Sequence, residues 1–111
     1  MFESSKQGAV HLVTGDCPLN LEGVGNARRV LEECLSKGQP RVVLQMQGVA
    51  LLDSAGLELL LDIRDACLRR GGALQLAAPN PLCRDILRAT GLTGQFSVYD
   101  DAIAAMGSFA Q

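Results

Sequence analysis

The sequence predicts an α/β fold built on a mainly parallel sheet, and three observations support this. Short β-rich runs alternate with amphipathic helical runs along 111 residues, with no internal repeat, linker or low-complexity tract. Glycine or proline punctuates most of the junctions between them. The composition, 48% hydrophobic and 20% charged, is that of a globular chain long enough to bury a core without disulfides or metal.

Residues 9–14 (AVHLVT) read as a strand that Gly15-Asp16-Cys17-Pro18 breaks, and a weaker strand near residues 2–6 can pair on its edge. From Asn26 to Lys37, Ala27, Val30, Leu31, Cys34 and Leu35 recur at helical spacing, with Gly38 as the stop. Residues 41–46 (RVVLQM) form the next strand. A long helix then runs from about Ala55 to Arg70 and ends at Gly71-Gly72, which suit a left-handed cap. Residues 73–77 (ALQLA) form a strand, and Pro79-Asn80-Pro81 turns into a short helix carrying Leu82, Cys83, Ile86 and Leu87. Residues 96–99 make the last strand, and Asp100 is the expected cap of a final helix with Ile103, Met106 and Phe109. The expectation is one domain over residues 1–111. Its sheet is mixed and mainly parallel, with four to five strands, right-handed crossovers and about four helices on one side.

Several function classes are excluded at this level. A formal charge of −2, with basic residues only in short pairs such as Arg28-Arg29 and Arg69-Arg70, argues against nucleic-acid binding. The N-terminus has neither the basic start nor the apolar run of a signal peptide, and no stretch is long and apolar enough to insert in a membrane. A cytoplasmic location is expected. Cys17, Cys34, Cys67 and Cys83 are far apart, and there is one histidine, His11, so neither a metal site nor a disulfide framework is expected. Cys34, Cys67 and Cys83 read as small buried hydrophobes. No cofactor is implied.

Winding residues 55–70 at helical pitch gives three stripes. Gly56, Leu59, Leu60, Ile63, Ala66 and Cys67 make the face for the sheet, while Glu58, Asp62, Asp65 and Arg69 face water. Between them runs a stripe of Leu57, Leu61, Arg64 and Leu68, read either as packing against a neighbouring helix or as a partner surface.

Ahead of this helix, "LLDSAG" interrupts two apolar runs. Ser54 stands where an N-cap belongs, and its hydroxyl can accept a first-turn N–H. A nucleophilic role requires a base, for which His11 is the only imidazole, and no G-x-S-x-G elbow is present. A phospho-accepting role for Asp53, as in response-regulator receivers, lacks the second acidic cluster and the lysine that those domains use. A third reading makes Ser54 a phosphate acceptor at a helix N-terminus, where a dianion is well placed.

"LLDSAGLELLL", preceded by "RVVLQM" and followed by "RRGGALQLAAPNPLCRDILRATGL", resembles the STAS domain of bacterial anti-sigma-factor antagonists. The resemblance spans nearly the whole chain and is strongest from Arg41 to Leu92. It implies the STAS fold and a binding switch without catalysis. The serine matching Ser54 is phosphorylated by an anti-sigma factor that is also a serine kinase; the unmodified form binds that partner, the phosphorylated form lets go, and a phosphatase resets the cycle. It further implies that Asp53 docks or orients the partner, that Gly56 allows close approach, and that Asp16 belongs to the partner surface. With the stripe on the long helix, the expected partner-binding set is Asp16, Asp53, Ala55, Gly56, Leu57, Leu61 and Arg64. A related branch of STAS proteins, also with Asp-(Ser/Thr)-x-Gly-Leu followed by leucines, serves phospholipid-transport ATPase complexes as a cytoplasmic subunit, which is the alternative expectation.

Overall fold

A computed structural model describes residues 1–36 and 38–110. The elements are β1 (Phe2–Gln7), β2 (Val10–Gly15), α1 (Val24–Glu33), β3 (Arg41–Gln45), α2 (Ser54–Arg69), β4 (Ala73–Ala77), α3 (Pro81–Ala89), β5 (Ser97–Tyr99) and α4 (Ala102–Ser108). One 3₁₀ turn, Thr93–Gln95, precedes β5. The strands form a single sheet in the order β1-β2-β3-β4-β5. β1 is antiparallel to β2, pairing Phe2 with Gly15 through Gln7 with Val10, and the remaining neighbours are parallel. The weak edge strand is therefore real, and the sheet is mixed and mainly parallel as expected.

Strand alternation sorts the side chains onto two faces. Val13, Val42, Leu44, Leu74 and Leu76 join the larger core with Leu31 of α1, Leu59, Leu60 and Ile63 of α2, and Leu87 of α3. Val10, Val43 and Ala77 point the other way and meet Ala105 of α4, with Leu12, Tyr99, Met106 and Phe109 packed around them. The expectation that all helices share one side is thus corrected, because α4 covers the opposite face. Val43 is wholly buried in mid-sheet, so its face also needs a cover, and among the described residues α4 supplies it. Ile103, expected on the apolar side of this helix, is instead 80% exposed. The cap of α4 is Asp101, which accepts from the Ala104 N–H at 2.7 Å, rather than Asp100. Asp100 pairs with Arg84 at 3.2 Å.

α1 starts two residues before the predicted Asn26 because Asn20 accepts from the Gly23 N–H through its side chain at 2.9 Å and from the Val24 N–H through its backbone at 2.9 Å. It ends early as tighter i→i−3 bonds take over, from Cys34 to Leu31 and from Leu35 to Glu32. Its predicted end at Lys37 lies outside the described residues. α2 closes as foreseen. Gly71 has φ of +77°, and the Gly72 and Gly71 N–H groups bond back to Cys67 and Leu68. Gly91, with φ of +75°, repeats this motif after α3, where Leu92 bonds back to Leu87.

Cys34, Cys67 and Cys83 are buried and free, so the reading of small apolar fillers holds. Burial, with a smaller contribution from nearby Cys34, pushes the Cys67 thiol up from 9.0 to about 11. The folded state therefore keeps a proton that the unfolded chain releases above its lower pKa. The Cys67 contribution to stability is expected to fall as pH rises from about 9 to about 11, by about 3 kcal/mol in full, and to flatten beyond. Urea titrations across that window should show a shallower slope in Cys67→Ala than in the natural chain, the remainder coming from the buried Cys34 and Cys83 thiols that burial also pushes up, while the cavity lowers stability at every pH alike.

Candidate functional site

In a parallel sheet the carboxyl ends of the strands carry the loops that form sites. At this end lie the loop after β2 (16–23), the loop after β3 (46–53), the start of α2 and the start of α3. Leu19, wholly buried, joins the first two loops. Its N–H bonds the Leu51 carbonyl at 3.0 Å, its own carbonyl accepts from the Asp53 N–H at 3.1 Å, and it forms an isolated parallel bridge with Leu52.

Asp53, not Ser54, is the N-cap of α2. Its backbone is extended (φ −110°, ψ −172°), and its Oδ1 accepts from the Gly56 N–H at 3.1 Å. Its Oδ2 accepts from the Leu21 N–H at 3.1 Å. One carboxylate thus closes the helix and holds the neighbouring loop. A serine hydroxyl carries a single oxygen and has no second one for Leu21. This corrects the assignment of the cap to Ser54. Ser54 is the first helical residue and its side chain is exposed, with no task in holding the helix.

Ala55 is half-buried, and Gly56 is buried against the Leu19 backbone. A Cβ on Gly56 would stand 2.1 Å from the Leu19 carbonyl oxygen, so the close approach is between this helix and its own loop. Leu57 and Leu61 are half-buried and packed on the larger core, whereas Leu68 is 49% exposed. The stripe therefore divides, its first two leucines being core rim and its last one surface. Arg64 sits about 15 Å along the helix from Ser54. Its Nε donates to the Gln95 carbonyl at 2.6 Å and its Nη1 pairs with Asp65 at 3.0 Å. Asp16 is exposed at the end of β2, where the Met1 ammonium hydrogen-bonded to it holds its carboxyl below the usual range.

The structure thus gathers Asp53, Ser54, Ala55, Gly56 and Leu57 at the α2 start, with Asp16 at the same end of the sheet, and leaves Arg64 well down the helix. Two contributors were not anticipated. The Asn80 side chain accepts from the Cys83 N–H at 2.7 Å and donates to the Val49 and Ala50 carbonyls at 3.2 and 3.1 Å, so it caps α3 while pinning the loop before Asp53. An Asn directly before a proline at a helix start was the signal for the capping half of this role. Leu21 is 79% exposed beside the Asp53 carboxylate, and Leu51 and Leu82 are further exposed leucines at this end. Nothing local in the sequence marks Leu21, because its position depends on the Asp53 bond.

A Ser54–His11 catalytic pair fails on topology. His11 pairs with Val42 near the start of β3, and Ser54 follows the carboxyl end of that strand. Several strand residues at about 3.3 Å each separate them, far beyond hydrogen-bond reach.

Asp53→Ala is expected to cost about 1–2 kcal/mol, from the lost cap and the lost loop bond, while Asp53→Asn keeps most of it. Urea unfolding gives the ranking. Amide exchange should quicken at Leu21 and Gly56 in the alanine variant first; unchanged exchange at Leu21 would refute the clamp.

Among the described residues no cluster of three or more His, Cys, Asp or Glu is arranged to hold a metal, and no helix is long and apolar enough to cross a membrane. Residues 2–105 match the STAS domain family. A Thermotoga maritima protein named as a candidate anti-sigma factor antagonist is 29% identical over 89 residues, 79% of each chain. A crystal structure bearing that description from the same organism superposes with a TM-score of 0.92 at 25% identity, over 99% of this chain and 95% of the other. The anti-sigma factor antagonist SpoIIAA in its unphosphorylated form superposes at 0.81 with 17% identity, over 99% of this chain and 96% of that one. Its phosphorylated form, from Bacillus, superposes at 0.74 with 16% identity, over 98% and 99%. The family match covers nearly the whole chain, the fold superposes on these structures along nearly its full length, and the chain belongs to the STAS domain family.

Proposed function

We propose that this chain is an anti-sigma-factor antagonist, a non-catalytic switch that binds an anti-sigma factor with serine kinase activity and is released when Ser54 is phosphorylated. The observation that carries the reading is the placement of Ser54. Its side chain is exposed on the first residue of a helix whose other face is core, and Asp53 rather than Ser54 does the capping. A kinase can therefore reach the hydroxyl without unwinding the helix. The relatives named for this activity, and a structural neighbour solved in both phosphorylation states, support the same reading.

The physics of release follows from charge. Asp16, Glu22 and Asp53 already make this end acidic, and Leu21, Leu51 and Leu82 leave apolar surface around it. A partner docking there covers leucines and meets the acids with basic groups. Phosphate adds roughly −1.5 to −2 charges next to Asp53. The N-terminus of α2 favours that charge, so the domain stays folded while a partner would have to desolvate a dianion. A phosphatase then restores the binding form.

Ser54→Asp is expected to weaken binding to the cognate anti-sigma factor by at least about tenfold, measured by calorimetry. Ser54→Ala should bind like the natural chain and stay bound when ATP is added. Mass spectrometry after incubation with that partner and ATP should find phosphate on Ser54. Absence of phosphate under every condition, or unchanged binding by Ser54→Asp, rejects the switch. Co-purification with a transport ATPase would then favour a role as a STAS subunit of a phospholipid-transport complex.

A further inference from the structure

The segment between β3 and α2 is fastened along both edges. On the side of β4 and α3, the Met46 N–H bonds the Ala77 carbonyl at 2.8 Å, and the Val49 and Ala50 carbonyls accept from the Asn80 amide at 3.2 and 3.1 Å. On the other side, the Leu51 carbonyl and the Asp53 N–H bond the Leu19 backbone at 3.0 and 3.1 Å. Between these anchors Ala50, Leu51 and Ser54 are exposed, while Val49 and Leu52 are buried.

Asn80 uses both ends of its amide. Oδ1 accepts from the Cys83 N–H at 2.7 Å, and Nδ2 turns one hydrogen toward each of the two carbonyls. The reverse orientation would set donor against donor and acceptor against acceptors, so the partners fix which atom is which. Among the described residues the other side chain of α3 bonded to this segment is Cys83, whose thiol, a weak donor, reaches the Val49 carbonyl at 3.4 Å. Aspartate at position 80 would cap α3 equally well and hold neither carbonyl. The same side chain stands between two exposed leucines. Leu51, 36% exposed, directly follows Ala50, and Leu82, 51% exposed, is the second residue of α3.

We propose that Asn80 is a positioning residue of the partner surface, its amide holding Leu51 and Leu82 together as one docking unit on the α3 side of Ser54. This rests on the docking reading above, and it gives the anti-sigma factor a fixed apolar seat beside the acceptor serine. Ser54 itself is held separately, by the Asp53 bonds to Leu21 and Gly56 and by the approach of Gly56 to Leu19. Loss of the Asn80 donors therefore loosens the seat and leaves the hydroxyl in place.

Asn80→Asp is the test, because it keeps the shape and the cap and removes both donors. Calorimetry with the anti-sigma factor should show binding weakened about tenfold. Phosphorylation of Ser54 should show KM raised by a similar factor with kcat unchanged. Leu51→Ala should also weaken binding, and Asn80→Asp added to it should weaken it little further, since the amide acts through that leucine. Without any partner, amide exchange in Asn80→Asp should quicken at Val49 and Asp53 and stay natural at Cys83. If Asn80→Asp loses its fold, Asn80→Ser, which caps α3 without reaching both carbonyls, reads the same loss. Natural binding by a folded Asn80→Asp, or a full further tenfold loss in the Leu51→Ala background, overturns the proposal. A natural chain that neither binds the anti-sigma factor nor is phosphorylated instead rejects the switch, and this inference with it.

Discussion

Gly56→Ala is expected to destabilise the fold by about 2–3 kcal/mol, the opposite of what helix propensity alone predicts. Alanine in place of glycine favours a helix by about 1 kcal/mol. Here the added Cβ would stand 2.1 Å from the Leu19 carbonyl oxygen and 2.9 Å from the Leu19 Cβ. The carbonyl cannot swing aside freely, because it accepts from the Asp53 N–H at 3.1 Å while the Leu19 N–H holds Leu51 at 3.0 Å. Overpacking and loss of one or both of those bonds outweigh the propensity gain. Urea unfolding followed by circular dichroism should show a lower midpoint, equivalent to roughly 10 °C in melting temperature. Equal or greater stability would mean that the loop moves away at no cost and that the close approach is not a constraint.

Leu19→Ala is expected to cost about 3 kcal/mol, although the residue stands in a loop. Its side chain is among the largest that are fully buried, in the same core as Leu59 and Leu60. Truncation removes apolar contact and leaves a void that the bonds at Leu51 and Asp53 keep from collapsing. It also frees the loop that meets Gly56, so the Cβ in Gly56→Ala has less to push against. The double variant should therefore lose less than the sum of the two single losses, by about 1 kcal/mol. Strict additivity would show that the loop and helix do not share strain. If Leu19→Ala unfolds at room temperature, Leu19→Val reads the same coupling at smaller amplitude.

Much of this architecture was legible because it rests on local periodicity. The inner face of α2 is the set that helical pitch predicted except for Ala66, which is half-buried, with Gly56, Leu59, Leu60, Ile63 and Cys67 buried, and β4 has the expected bounds of residues 73–77. The Gly71 cap followed from residue type, since φ of +77° suits glycine alone. β1 was only faintly visible, because five of its six residues are exposed and polar strands carry little hydrophobic alternation. The side taken by α4 was illegible, because an apolar stripe states that a helix is covered and not which sheet face covers it.

At the site, the sequence alone determined that a polar break precedes the helix at residues 53–54, that Ser54 is the hydroxyl there, and that the STAS pattern surrounds it. Tertiary structure decided which residue does what. Capping by either Asp53 or Ser54 satisfies the helix equally well, and only the second loop, with its free Leu21 N–H at 3.1 Å, selects the carboxylate with two oxygens. It also split the Leu57–Leu61–Arg64–Leu68 stripe between core rim and surface, and placed His11 and Ser54 at opposite ends of the sheet. These outcomes depend on contacts between segments distant in sequence, such as residues 19–21 with 51–56. Local spacing cannot encode them, because the partner is chosen by how the sheet stacks its loops.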